Sequence, residues 1–593
     1  QRVARLAATG CAGADRRGFV GAAWHPVGRR PRFRAAHFGR APRTAMVQHA
    51  SSSTQGGGSL LVRRGRIVPL GPAHGSHAPA SVDPAVAPHG PLPLGSAAAD
   101  GPVPCRSVEP LDLRIDGGII TAIGPGLPSH GEPELEADGR WVIPGLWDQH
   151  VHAAQAAKAS AWFDVGGAPT AADAIARVAA HLATLPTPTG AGDAAPVTGF
   201  GFRLNAWSDA PSVAALDAVS GPRPVFLISG DAHSGWLNTA AQALLGVGPF
   251  AGAVSEGDWF PLFDRLDEVP ALRPDAAAFA RWLDGAAARG ITGLVDMEFH
   301  GAFADWPGRV ASGLTQVRVR AAVYPHQLAE VLAQGLRTGH PLESSGLVTM
   351  GPLKIITDGS LGSGTAWCCS PYAADGAQGA ANLTQQDLND LVASAARHGL
   401  DVALHGIGDR ACQVALDAFQ ATGAKGTLEH AQLLRDADVA RLARLGVAAS
   451  VQPLHLLDDR DAVDRLWGDR AGRCYRFRDL LDAGAEVRFG SDAPIAPVDP
   501  WGAMAAAVHR SGDDRQAWHP EQALTPREAL RCSVGGRRVR VGDLADLVLI
   551  GDDPLRSCRT PEEAAAHLRH LPVLATVCAG RLTHLDHAWG VAP

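Results

Sequence analysis

Two histidines one residue apart, His150 and His152, end the apolar run Trp141-Val-Ile-Pro-Gly-Leu-Trp-Asp-Gln-His-Val-His152. Alternate side chains of a β-strand share a face, so both imidazoles would point one way and Val151 the other. Two imidazoles on one face can grip one metal ion. The stretch Trp141 to Leu146 reads as a fully buried strand, and parallel barrels build their sites at the ends of such strands. Further residues suited to the same chemistry stand at the ends of later apolar runs: Lys354, His405, His430 and Asp492. A catalytic zinc site takes three or four nitrogen or oxygen ligands and keeps a position for water, which four histidines can supply. Asp492 suits a weak ligand that also accepts a proton from water, because a carboxylate beside a metal stays ionised.

The elements that must hold these residues follow from periodicity. Between about Pro144 and Arg538, apolar runs alternate with Ala- and Leu-rich helical stretches, the pattern of βα units around a parallel sheet. After the first strand, the candidates are Val225 to Ser229, Ile291 to Met297, Val317 to Tyr324, Leu353 to Thr357, Asp401 to His405, Thr427 to His430, Val447 to Gln452 and Val487 to Ser491. That is one strand more than a (β/α)8 barrel needs. The long gap between His152 and Ile291 places Val225 to Ser229 in an insertion, and the other eight fill the barrel. The fold class is therefore α/β: a TIM-like (β/α)8 barrel with a large insertion after strand 1, plus a small β-sandwich built from both termini.

The sandwich rests on short strand patterns at either end. These are Ser59 to Val68, the hairpin-like Leu111 to Gly124 around Gly117-Gly118, Leu544 to Ile550, and Val573 to Leu582 with its turn at Ala579-Gly580. The expected division is an extension at 1–58, a first sandwich part at 59–143 with a Pro/Ala/Gly-rich insertion at 69–104, the barrel at 144–538 with its insertion at about 153–290, and a second sandwich part at 539–593. Residues 1–45 contain ten Arg, one Asp and no Lys, Ser or Met. A transit peptide shares the Arg-rich, acid-poor bias but tends to be Ser-rich, so translated upstream sequence before Met46 is the favoured reading.

Composition narrows the partners. The 593 residues carry a formal net charge of −7, which gives no reason to expect nucleic acid or an acidic membrane. No run of eighteen apolar residues occurs. Nine cysteines without CxxC spacing argue against a disulfide framework and fit a reducing, cytoplasmic setting. Adjacent Cys368 and Cys369 read as ordinary small residues. A small-molecule substrate is the default partner, and a homo-oligomer is left open.

Seven stretches together resemble the amidohydrolase superfamily, in particular the amidohydrolase-3 group that includes N-substituted formamide deformylases. They are Ile143-Pro-Gly-Leu-Trp-Asp-Gln-His-Val-His152, Asp231-Ala-His-Ser-Gly-Trp-Leu-Asn238, Asp358-Gly-Ser-Leu-Gly-Ser363, His405-Gly-Ile-Gly-Asp409, Glu429-His-Ala-Gln432, Ser450-Val-Gln-Pro453 and Gly490-Ser-Asp-Ala-Pro494. Each is weak alone, while their order and spacing are specific. The resemblance implies that His150, His152, His405 and His430 are metal ligands and that Asp492 is the metal-bound general base. It places Lys354 where two-metal members carry a carboxylated lysine that bridges the ions. A strand-end lysine that snorkels or binds substrate directly is the plainer alternative. The cofactor implied is one or two Zn2+ ions, other divalent metals being open, with carbamylated Lys354.

Smaller expectations attach to other positions. His233 would touch substrate or an oxyanion, or be a satisfied loop histidine. His455, after strand 7, would hydrogen-bond the substrate carbonyl or leaving group. Glu298 and His300 would line the pocket or be merely solvated, and Asp296 and Asp358 would orient loops. Trp236, Trp259 and Trp367 hint at an apolar substrate portion, although packing is the commoner role of such residues. Relatives often read Gly-Ser-Arg where this chain has Gly362-Ser-Gly364, so an arginine near the substrate is missing. The segment Ala529 to Asp543 is also shorter than usual, which bears on the domain junction. The expected activity is metal-dependent hydrolysis of a non-peptide C–N bond, as in an N-acyl or N-formyl amine. Alternatives are a deaminase or cyclic-amide hydrolase on the same scaffold, and a non-catalytic binding protein of this fold.

Overall fold

A computed structural model describes residues 58–70 and 109–589, apart from 161, 187–193, 205–206, 231, 256–257, 273–275, 300, 374–375 and 587–588. The expected extension at 1–58, all but its last residue, and nearly all of the 69–104 segment lie outside the described residues.

Eight parallel strands form the centre: β1 Leu146–Val151, β2 Ile291–Asp296, β3 Arg318–Val323, β4 Val348–Ile356, β5 Val402–Gly406, β6 Gly426–His430, β7 Ala448–Val451 and β8 Val487–Phe489. They are hydrogen-bonded in chain order from β1 to β8. Beyond β8, the backbone meets β1 again: Asp492 N donates to His150 O at 2.7 Å and His152 N to Ala493 O at 2.9 Å. The seam that brings the two edges of the barrel together is thus the stretch carrying the two histidines and the aspartate. Gly490 is required there, because a Cβ at that position would stand 2.7 Å from His150 N and 2.8 Å from its Cβ.

Inside the barrel Trp147, Val295, Met297, Ala322 and Ala403 pack as one buried cluster. These come from β1, from the end of β2 and just beyond it, and from β3 and β5, and small residues opposite one indole let it fill the space. Outward faces of the same strands pack against helices such as Ala276–Ala287, through Phe279 and Leu283, and Gln385–Arg397, through Leu388 and Val392.

The run Trp141 to Leu146, expected as one strand, is two. Trp141–Pro144 pairs antiparallel with Leu547–Ile550, whereas β1 begins at Leu146 and pairs parallel with β2. The break falls at Gly145, whose N–H donates to Asp546 O at 2.8 Å. A Cβ there would lie 2.0 Å from Thr292 Oγ1, so only glycine passes between the two sheets. The other sheet follows the path Arg581–Leu585, Val573–Cys578, Leu547–Ile550, Trp141–Pro144, Leu60–Ile67, Leu111–Asp116 and Ile119–Gly124, with Glu134–Glu136 paired to Leu60–Ile67. Strands from both ends of the chain therefore share one sheet. Its buried residues, among them Leu60, Val62, Leu113, Ile115, Val142, Leu547, Leu549 and Val577, form a core separate from the barrel's.

Val225–Ser229 is outside the barrel, in the middle of a five-stranded sheet whose order is Val254–Ser255, Ser234–Leu237, Val225–Ser229, Val197–Phe202, Phe163–Asp164. Val225 and Leu227 join one apolar cluster while Phe226 and Ile228 join another, so layers cover both faces of this strand. That explains why it reads as a continuous apolar run.

Candidate metal centre

His150 is the fifth residue of β1 and His152 follows the strand's end, where it precedes the helix Ala153–Ala159. Lys354 lies within β4, His405 within β5, and His430 ends β6. Asp492 is three residues past β8. One ligand atom each from His150, His430 and Asp492 lie within 4.8 Å of one another, and all three residues are buried. His150 Nε2 and His152 Nε2 are each 3.4 Å from Asp492 Oδ1. Lys354 Nζ is 3.1 Å from His150 Nε2. The His405 ring lies 4.4 Å from that of His430, centroid to centroid. These six side chains meet at the C-terminal end of the barrel strands.

Two of the six leave regular strand geometry to get there. His430 has φ 67° and Asp492 φ 57°, left-handed conformations that cost a non-glycine residue free energy and concentrate at functional sites. In register His405 pairs with Glu429, which makes Glu429 the inward residue of β6. A straight strand would turn His430 away, and its positive φ lets it meet His150 and Asp492.

For two of the rings, the group behind fixes the tautomer. His150 Nδ1 is 2.7 Å from Glu429 Oε2, and ionised carboxylates only accept, so His150 donates there and its Nε2 lone pair faces Lys354 and Asp492. His430 Nδ1 is 2.9 Å from Gln452 Oε1, an amide oxygen whose own NH2 donates to Ser450 O at 3.3 Å. His430 therefore donates at Nδ1 and keeps its lone pair on Nε2. His152 Nδ1 is buried and has no hydrogen-bond partner, and the Phe299 ring stacks on the imidazole at 5.0 Å and 22°.

Electrostatics favour a cation at this point. Burial, and then the neighbouring Lys354, lower the pKa of His150 and push that of His405 down to about 3. Burial and His405 hold His430 well below the usual imidazole range. Neutral imidazoles are the ligand form. Burial alone would raise the Asp492 carboxyl, but His150, the hydrogen bond with His152, and His430 keep it well below the ordinary carboxylate range. An ionised carboxylate beside ring nitrogens, that of His150 with its lone pair forward, is a nitrogen and oxygen ligand set that suits a divalent cation. The Lys354 amine is only 2% exposed, so it does not snorkel to water, and burial lowers its pKa.

Other expected residues stand apart. His455 opens the helix His455–Trp467 after β7, and its Nε2 is buried without a hydrogen-bond partner. His233 is half-buried in the insertion, at the turn into Ser234–Leu237; Asp231 and His300 lie outside the described residues. Glu298 is not merely solvated, being 7% exposed. Its carboxylate accepts from Ala154 N and Gln155 N, both at 3.1 Å, and caps the helix that follows His152. Asp296 accepts from Ala153 N at 3.0 Å and Trp306 Nε1 at 2.7 Å, and Asp358 from Gly408 N and Trp367 N, both at 2.9 Å, so both do orient loops. Trp236 and Trp259 are fully buried in the two layers of the insertion. Sequence reasoning missed Glu429, Gln452 and Phe299 as parts of the site. Glu429 and Gln452 carried a signal, since both sit in the motifs around His430 and Ser450.

A parallel barrel gathering histidines, a lysine and an aspartate at its C-terminal mouth is the architecture of a metal-dependent hydrolase. The chain belongs to the amidohydrolase family, whose model matches residues 134–584. It is 28% identical to Protein LONG AFTER FAR-RED 3 of Arabidopsis thaliana over 467 residues, covering 70% of this chain and 78% of that one. It is 26% identical to the N-substituted formamide deformylase of Arthrobacter pascens, covering 80% of this chain and 94% of that one. Among solved structures, an uncharacterized metal-dependent hydrolase from Pyrococcus horikoshii matches at TM-score 0.65 and 27% identity, over 75% of this chain and 94% of that one. No helix among the described residues is long and apolar enough to cross a membrane.

Proposed function

We propose that this hydrolase cleaves a non-peptide C–N bond, that of an N-acyl or N-formyl amine, with His150, His152, His405, His430, Lys354 and Asp492 as its metal-holding set. The observation that carries the reading is the convergence of His150, His430 and Asp492 within 4.8 Å. Two of the ring nitrogens behind them are already engaged. A divalent ion such as Zn2+, bound there, would supply an acidified water and a polarised carbonyl. Asp492, kept ionised by its neighbours, takes the proton from the attacking water and returns it to the departing amine nitrogen, which leaves poorly as an anion. His455, with an unengaged Nε2, is placed in this reading against the substrate carbonyl or leaving group, and His233 is a second substrate contact from the insertion.

Lys354 is read as a carbamate former. Burial lowers the pKa of its amine, which favours the form that attacks CO2; the new N–C bond forms with loss of one proton and gives an anionic oxygen ligand. Gly364 stands where relatives often carry an arginine, which favours a neutral substrate over an anionic one. The relative named as an N-substituted formamide deformylase supports the same bond class. Residues 59–143 and 539–593 are read as a structural β-sandwich, and 144–538 as the catalytic unit.

Metal content per chain, measured beside Lys354→Ala, tests this. About two ions falling to one or fewer, with hydrolysis of N-acyl or N-formyl amines by the parent protein, is the expected result. About one ion in both proteins would move the reading to a single-metal deaminase or cyclic-amide hydrolase. No metal in either after incubation with zinc would overturn it.

A further inference from the structure

The two ring nitrogens that back the centre are held by unlike groups. His430 leans on a neutral amide, Gln452 Oε1, at 2.9 Å. His150 leans on a carboxylate, Glu429 Oε2, at 2.7 Å, 279 residues away in the chain. Glu429 has no exposed surface, and His150 is 1% exposed. Thr427 Oγ1 donates to the other Glu429 oxygen, from two residues earlier on the same strand face. Both carboxylate oxygens are therefore engaged, one by a hydroxyl and one by the imidazole. Burying an ionised carboxylate is costly unless charge and hydrogen bonds compensate it.

We infer that Glu429 is the positioning residue of the centre, holding His150 in the Nδ1–H tautomer and making its Nε2 a stronger donor to a bound metal than that of His430. The inference rests on the metal-centre reading above and adds to it a ranking of the two backed histidines. A carboxylate accepting the Nδ1 proton pushes electron density toward Nε2, and a neutral amide does so less. In Glu429→Gln the new amide oxygen could still accept from Nδ1, so only the charge is removed, whereas Glu429→Ala removes both charge and tautomer control.

The test is zinc affinity of the full-length protein, measured by competition with a chromophoric chelator, for the parent, Glu429→Gln, Glu429→Ala and Gln452→Ala. Thermal unfolding of each metal-stripped protein reports folding independently. The expected result is a loss of roughly 10- to 100-fold in affinity for Glu429→Gln, a larger loss for Glu429→Ala, and a smaller one for Gln452→Ala. If Glu429→Gln does not fold, Glu429→Asp, whose shorter side chain draws the carboxylate back from His150 Nδ1, should weaken zinc binding while leaving Gln452→Ala as the weaker comparison. Parent-like zinc affinity in folded Glu429→Gln, or in Glu429→Asp where that variant must replace it, overturns the inference. So does a loss in Gln452→Ala equal to or greater than theirs. A parent protein that binds no zinc would instead overturn the metal-centre reading.

Discussion

The two ends of the barrel are built on opposite principles. At the C-terminal mouth, His150, His430 and Asp492 are buried polar groups converging within 4.8 Å, two of them with left-handed backbones. Trp147, at the N-terminal end of β1, is buried among Val295, Met297, Ala322 and Ala403, with the guanidinium groups of Arg537 and Arg320 at 3.9 and 4.8 Å from its ring. One end gathers buried nitrogen and carboxylate ligand atoms, groups that are costly to bury unless partnered. The other end closes the barrel with dispersion and cation–π contacts that need no ligand. The lesson is that stability and chemistry occupy different layers of the same strands: Trp147 and His150 are three residues apart on β1.

Variants at the two ends should therefore fail differently. The largest effect is expected from Asp492→Asn, which keeps the shape but cannot accept the proton: kcat on an N-acyl amine should fall by about 10²- to 10⁴-fold, with circular dichroism unchanged. Steady-state kinetics decide it, and parent-like turnover would remove Asp492 from the base role. Trp147→Ala should instead lower unfolding free energy by about 3–5 kcal/mol in urea titrations, through the cavity it leaves. Its metal content, measured on the folded fraction, should match the parent.

A third contrast comes from Asp296, buried behind the mouth. Burial, and then the Glu298 carboxylate, raise its pKa from 3.8 to about 6. The folded state therefore holds a proton that the unfolded chain releases at lower pH. The stability this contributes is fully present below 3.8 and is lost as pH rises through about 6. Asp296→Asn cannot titrate, so its urea midpoint should change less than the parent's between pH 4 and 6.5 (~1 kcal/mol or more of slope removed). Identical pH profiles would show that Asp296 has an ordinary pKa in the folded protein.

The legibility of this fold differs by distance along the chain. Chain length alone places Val225–Ser229 in the insertion, and it is found there because strands that alternate with helices must close a barrel at eight. His150 and His152 are legible as a pair because strand periodicity is local. The same periodicity misleads for Glu429 and His430. It puts adjacent residues on opposite faces, and the left-handed backbone at His430 brings both to His150. The role of Glu298 escapes the sequence for a related reason: the helix it caps begins at Ala153, and its first bonded amide, Ala154 N, lies 144 residues earlier.

The sequence by itself determined the order of βα units, the apolar faces and the residue types at strand ends, since these follow from patterns spanning a few residues. Tertiary structure alone decided that Trp141 to Leu146 is shared between two sheets, that Asp492 meets β1, and that a carboxylate stands behind His150. Those depend on which strands become neighbours and on the approach of Thr292 to Gly145 and of His150 to Gly490, distances set by packing across the chain.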